Sequence, residues 1–261
     1  MFYAALFASI LAFVVVVTGG LATTATSLAN PESVLFHSLS HRHAGEFAGA
    51  AMLALFAWIT FGSVRLRKLG GALCVGVILQ GVLGAMPVAG SLGPMLHSCL
   101  AQLLLAGSIA LVLALSVAWT SEPQKIQDYG WPSLRSLSIT LPVLIGIQVA
   151  LGAAFRHRLL GLMPHVIGAM LVAMFILVVG SFVLQQCKDH KLLAGAGRTM
   201  MVVTFVQVFL GLAVFTVRSM PQQDAAVILA IATAHVVTGG ALLGASVVLG
   251  MIIRRNVVPK A

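Results

Sequence analysis

Four histidines stand inside or at the edge of long apolar runs: His41, His97, His165 and His235. An ionisable side chain at membrane depth is costly and marks a functional position. His41 and His165 are 124 residues apart, and His97 and His235 are 138 apart, so the four read as two pairs in repeated positions. Two imidazoles from facing membrane helices suit the axial positions of a haem iron, and the apolar macrocycle suits a bundle embedded in lipid. Zinc asks for three or four ligands, and no third Cys, His or carboxylate recurs in both halves of the sequence. Small residues would leave room against a flat porphyrin: Gly45 and Gly49 follow His41, Gly168 follows His165, and Gly239 and Gly240 follow His235. Hydrogen-bonded packing histidines are the alternative reading.

Arg42 in the first half, and Arg156, Arg158 and Arg218 in the second, lie near the same ends of the runs as the histidines. A guanidinium pairs bidentately with a carboxylate, so these are candidates for haem propionates; lipid headgroups are the alternative partners. Glu46 lies about one turn from His41 and is a candidate catalytic carboxylate, expected to face a polar cavity or to be protonated; packing or headgroup contact is the alternative. His37 and His41 would share a helix face if the helix began early enough. His43 is expected at the interface, His157 in water after the fifth run, and His190 has no assigned role.

The elements that position these residues follow from composition. Sixty per cent of the 261 residues are apolar and 8% are charged, whereas a soluble domain carries about 25% charged residues. The solvent is therefore lipid, and the chain reads as an all-α polytopic membrane protein. The runs, each near the ~20 residues that cross a bilayer, fall at about 2–24, 41–63, 69–88, 95–119, 135–155, 160–186, 197–217 and 227–252. The first lacks the basic flank of a signal peptide, and no polar stretch is long enough for a separate soluble domain.

The net charge of +9 does not imply a nucleic acid, because the charges sit in short loops. Eleven Lys/Arg fall on one side: Arg65, Arg67, Lys68, Lys125, Arg135, Lys188, Lys191, Arg198, Arg254, Arg255 and Lys260. Four fall on the other: Arg42, Arg156, Arg158 and Arg218. The richer side is expected to be cytoplasmic, which puts both termini on the cytoplasmic side of the plasma membrane and requires an even number of spans. Cys74, Cys99 and Cys187 are too far apart to suggest a cluster or a loop disulfide.

The runs also repeat. Gln80-Gly81-Val82-Leu83-Gly84 in the third and Gln207-Val208-Phe209-Leu210-Gly211 in the seventh are both Q-x-x-L-G, offset by 127 residues. A third copy runs from Gln148 to Gly152, with a looser counterpart at Val17-Thr18-Gly19-Gly20 in the first run. An even number of spans per half makes this a parallel repeat. The expected organisation is two pseudo-symmetric four-helix bundles, residues 1–120 and 135–261, joined by a linker at 121–134.

The order of these motifs resembles the haem A synthase family over nearly the whole chain. The stretches that carry the resemblance are Val16-Val17-Thr18-Gly19-Gly20-Leu21-Ala22-Thr23, Ser40-His41-Arg42, Leu79-Gln80-Gly81-Val82-Leu83-Gly84, Met95-Leu96-His97, Gly152-Ala153-Ala154-Phe155-Arg156-His157, His165 and Ala234-His235. The resemblance implies that His165 and His235 hold a haem b used for electron transfer. It implies that His41 and His97 mark the site where a methyl group of haem o becomes the formyl group of haem A, for terminal oxidases. Partners implied are haem o, a haem O synthase and an electron donor the sequence does not identify; self-association is left open. The sequence departs from the family pattern at Ser38, three before His41, where a glutamate is usual. It also departs at Val166, where an arginine often follows the third histidine, and in its short outer loops without a cysteine pair. Three functions follow: a haem A synthase, a non-catalytic diheme cytochrome or haem-holding subunit, and a transporter, to which internal repeats also point.

Overall fold

The computed structural model describes residues 1–28, 30–86, 90–130, 132–222 and 224–259. Eight helices are long and apolar enough to cross a membrane among the described residues. They are α1 (Phe2–Leu28), α2 (Pro31–Gly62), α3 (Arg67–Ala85), α4 (Leu92–Leu115), α6 (Leu134–Arg156), α7 (Leu162–Gln186), α8 (Lys191–Ser219) and α9 (Ala225–Asn256). A one-turn helix, α5 (Val117–Thr120), follows α4 after a break at Ser116. An all-helical structure is what lipid demands, since a helix satisfies its own backbone hydrogen bonds.

The second helix starts earlier than the hydropathy places it. Asn30 caps it by accepting the Ser33 N–H at 3.1 Å, and Pro31 occupies the first turn, where its missing N–H is harmless. His41 therefore lies well inside α2 rather than at its start, and it does share a face with His37. Likewise α8 begins at Lys191 rather than 197, and the fourth span stops at Leu115 rather than 119. The expected end of the third span, at 87–88, and Lys260 lie outside the described residues.

The helices touch in two closed rings: α1–α2–α3–α4–α1, and α6–α7–α8–α9–α6. The rings meet through α4 against α9, flanked by α1 against α9 and α4 against α6, the arrangement a pseudo-twofold between parallel repeats produces. The central helices α4 and α9 bury the largest share of their length. The two apolar cores follow the rings, but each borrows one residue across the interface, Val237 of α9 in the first and Ala106 of α4 in the second. Leucines, valines and phenylalanines of α3, α7 and α8 remain exposed, as lipid-facing surfaces do.

The linker between the rings is tied down by the C-terminal strand. β1 (Ile126–Gln127) pairs in parallel with β2 (Val257–Val258), Ile126 opposite Val257. The Arg135 guanidinium donates to the Val257 carbonyl at 2.7 Å, and the Arg255 guanidinium lies over the Trp119 ring at 4.8 Å. Asp128, 4% exposed, starts α6 by accepting from Ser133 Oγ (2.8 Å), Leu134 N–H (3.1 Å) and Arg135 N–H (3.3 Å). Burial raises its pKa, but these bonds outweigh it and leave the carboxyl below its ordinary value. A depressed folded-state pKa gives stability that is complete above the unfolded carboxyl value, near 4, and drains as pH falls through the folded value. Asp128→Ala is therefore expected to cost about 2 kcal/mol at neutral pH and to abolish that acid-side loss. Thermal melts of both proteins across pH 3–7 check this; identical pH profiles would contradict it.

Candidate functional site

Each even-numbered position in the two rings carries one of the histidines: His41 on α2, His97 on α4, His165 on α7 and His235 on α9. All four are half-buried. Within the first ring the His41 and His97 rings lie 6.1 Å apart, centre to centre, with planes at 85°. Within the second the His165 and His235 rings lie 6.3 Å apart at 87°. The two pairs are near copies of each other.

The helix preceding each histidine makes its seat from one glycine. A Cβ at Gly19 would stand 3.0 Å from His41 Cε1, at Gly84 3.1 Å from His97 Cε1, at Gly152 2.9 Å from His165 Cε1, and at Gly211 3.0 Å from His235 Cε1. These are the final glycines of the three Q-x-x-L-G copies, and they set the register of the fourth: Gly19, not Gly20, is the counterpart. Gly20 instead meets Thr233 of α9. A glycine suits the four positions because the imidazole lies tight against the space a Cβ would take.

The glutamine of each motif, one turn before the glycine and on the same face, holds the same ring. Gln80 Nε2 donates to His97 Nε2 at 3.1 Å, Gln148 Nε2 to His165 Nδ1 at 2.9 Å, and Gln207 Nε2 to His235 Nε2 at 3.4 Å. The amide oxygens of all three are buried without a hydrogen-bond partner, as are His97 Nδ1 and His235 Nδ1. His41 differs. Val15 stands where the glutamine would be, and Thr18 takes over. The Thr18 hydroxyl donates to the Val15 carbonyl at 3.1 Å. Having a single proton, it must accept from His41 Nδ1, 3.0 Å away. A neutral His41 so held keeps the lone pair of Nε2 for a ligand.

Three of the glycines that follow the histidines do something other than the sequence suggests. The missing Cβ of Gly168 points at Gln148 and that of Gly239 at Gln207, so these make room for the glutamines. Gly240 makes room for Gln102 of α4, whose Oε1 would clash with a Cβ there. Gly45 and Gly49 have nothing within 4 Å.

The arginines divide. Arg156, at the end of α6, crosses to the first ring and donates to the Gly20 carbonyl and to Thr24 Oγ1, both at 2.7 Å. Arg218 donates to Ser27 Oγ, one turn further along α1, at 3.1 Å. Two second-half cations thus meet at one end of the first helix, and no acid is within ion-pair distance of Arg156 among the described residues. Arg158 is exposed in left-handed backbone (φ 62°) and does not join them. Arg42 and Glu46 are brought to each other rather than to the histidine pair. Their Nε and Oε1 are 2.9 Å apart on an exposed face, with side chains 74% and 58% exposed, and His43 Nδ1 lies 3.6 Å from Glu46. The polar cavity expected for Glu46 is replaced by an i, i+4 ion pair with solvent or headgroups.

Two residues were missed or misread. His157, expected in water, is half-buried and lies 2.9 Å from Ser98 Oγ, beside His97 and across the ring interface. Burial, with the Arg156 charge next in effect, pushes its pKa down. Gln102, 7% exposed, donates to the Val236 carbonyl at 3.4 Å and so links the His97 helix to the His235 helix. A lone glutamine deep in an apolar run was the available signal for it. Among the described residues no group of three or more His, Cys, Asp or Glu converges to hold a metal ion.

This pairwise arrangement has the span of an iron held between two imidazoles, as well as that of packed edge-to-face rings. Two imidazoles on a shared iron need two bonds of about 2 Å and two ring radii of about 1.1 Å, or roughly 6 Å between centres. The observed 6.1 and 6.3 Å match that span, and the buried, unpartnered Nδ1 atoms of His97 and His235 would be open to such a group once the glutamine amides turn to accept the Nε2 protons.

An eight-span helical protein with paired histidines is the class these features define. Residues 22–164, more than half of the chain, match the family model of the cytochrome oxidase assembly proteins, COX15-CtaA, and the chain belongs to that family. The match includes His41 and His97 and stops one residue short of His165. The family places the role of this membrane protein in cytochrome oxidase assembly and haem A synthesis. No curated protein matches the chain.

If His165 and His235 hold a haem, replacing Gln148 with leucine is expected to weaken its retention by about 10–100-fold, the usual effect of losing the group that orients a ligating histidine. Haem content of the purified variant, measured after extensive washing, checks this; retention equal to that of the wild type would show that Gln148 does not orient His165.

Proposed function

We propose that the protein is a haem A synthase in which the first ring holds the substrate and the second a resident haem. His41 and His97 are the ligands of haem o, whose methyl group is oxidised to the formyl group of haem A. His165 and His235 would hold a haem b that relays electrons. The observation that carries this reading is the repeated facing of two imidazoles at 6.1 and 6.3 Å in a chain of this family.

The chain's own residues fit these roles. Thr18 keeps Nε2 of His41 available as a ligand. A half-turn of the Gln80 and Gln207 amides would let their stranded oxygens accept the ring N–H of His97 and His235, fixing the tautomer that leaves the other nitrogen for iron. Arg156 and Arg218, at one end of α1, are suited to propionates. The richer set of Lys/Arg at the opposite ends of the helices orients both termini to the cytoplasm of the plasma membrane. The histidine pairs then lie toward the outer face.

Two observations favour a second reading, a diheme cytochrome without oxidation chemistry: Glu46 is turned outward onto Arg42, and Ser38 holds the usual glutamate position. Co-expression with a haem O synthase, followed by analysis of extracted haems, separates the two. The synthase produces haem A or its hydroxylated precursor. Accumulation of haem O with neither product leaves the cytochrome.

A further inference from the structure

At the membrane edge opposite the histidines, the turn from α7 to α8 bounds a cavity of about 580 Å³. Lys188, Lys191 and Arg198 head it, Gly195 floors it, and Val202 and Val203 continue it along α8. No acid lines it; Asp189 lines the neighbouring cavity with His190 and Arg255. The ion pairs among the described residues all run to Glu46, so this cluster carries three uncompensated cations.

Lys191, Gly195, Arg198 and Val202 are spaced i, i+4, i+7 and i+11, one stripe of the helix. At ~1.5 Å per residue, about 10 Å separates Lys191 from Arg198, and Val202 lies about 6 Å deeper. Nothing comes within 4 Å of the position a Gly195 Cβ would take, so the stripe has an open notch between its two cations. Cationic at its mouth and apolar beyond, with Val202 57% exposed, the cavity follows the order of groups in a phospholipid along the membrane normal.

We propose that this cavity binds one anionic phospholipid, its phosphate between Lys191 and Arg198 over Gly195 and an acyl chain along Val202. Basic pockets between membrane helices select anionic headgroups in this way. Other basic loops of the chain attract anionic lipid only diffusely; the notch makes this a site. An acidic protein segment would meet the same charges but would not need the valines or the depth.

The full-length protein in mild detergent, exchanged into mixed micelles of phosphatidylglycerol and phosphatidylcholine, tests this by native mass spectrometry. One phosphatidylglycerol is expected to remain bound, and phosphatidylcholine is not. The double substitution Lys191→Gln, Arg198→Gln lowers retention about tenfold or more. Gly195→Leu keeps every charge, projects into open space, and is expected to lower retention comparably. Arg67→Gln with Lys68→Gln, in another basic loop, leaves it unchanged. Equal retention of both lipids, no effect of Gly195→Leu, or an equal loss in the Arg67, Lys68 variant would each overturn the proposal.

Discussion

With the proposed haem in the second ring, His235→Ala is expected to strip that ring of it while the first ring keeps its own ligands. His235 and His165 face only each other at ligand distance, and the first pair stands on different helices, α2 and α4, seated on Gly19 and Gly84. Losing one of two axial ligands removes more than an orienting group does, so a fall in second-ring retention of at least about 100-fold follows. The readout is haem per protein in the purified variant, with His41→Ala as the reciprocal case. If either substitution emptied both rings equally, the sites would not be independent, and the pairing by ring would be wrong.

A second large effect is expected from a residue that could never bind a metal. Gly152→Leu puts a side chain where the His165 ring now sits, since even a Cβ there would be 2.9 Å from Cε1 and 3.2 Å from Nδ1. The imidazole must leave its seat, and its hydrogen bond with Gln148 goes with it. The expected result is haem loss from the second ring as large as that of His165→Ala, in a chain that still holds all four histidines. Gly146→Leu, on the same helix but with nothing within 4 Å of its missing Cβ, controls for the helix itself and is expected to retain haem. Normal retention in the Gly152 variant would mean that the glycine seat does not set the ring position.

What could be read from the sequence, and what could not, divides along physical lines. Spans were legible because lipid leaves a helix few choices of composition. The histidine pairing was legible because a parallel repeat carries equivalent residues to equivalent places. The Q-x-x-L-G copies were visible as a pattern, but not their purpose. Only the coordinates show that the glutamine grips and the glycine seats one imidazole on the next helix, and that Gly19 rather than Gly20 completes the set. The early start of α2 was encoded in Asn30-Pro31-Glu32, a helix-start signature, which the hydropathy of the following residues overrode. Contacts between the two rings had no local signal. Arg156 on Gly20, His157 on Ser98 and Gln102 on Val236 join residues 59 to 136 positions apart, and nothing in either segment alone announces its partner. Glu46 follows its i, i+4 spacing from Arg42 onto an exposed face, the headgroup alternative, rather than a polar cavity beside His41.

The optical spectrum of the detergent-purified, haem-supplied protein tests the central claim most directly, because it reports the iron's axial ligands. Two facing imidazoles per ring predict a low-spin, six-coordinate haem spectrum on reduction, lost ring by ring in the His41→Ala and His235→Ala variants. A folded protein that stays colourless, or one whose haem is five-coordinate and indifferent to both substitutions, would contradict it.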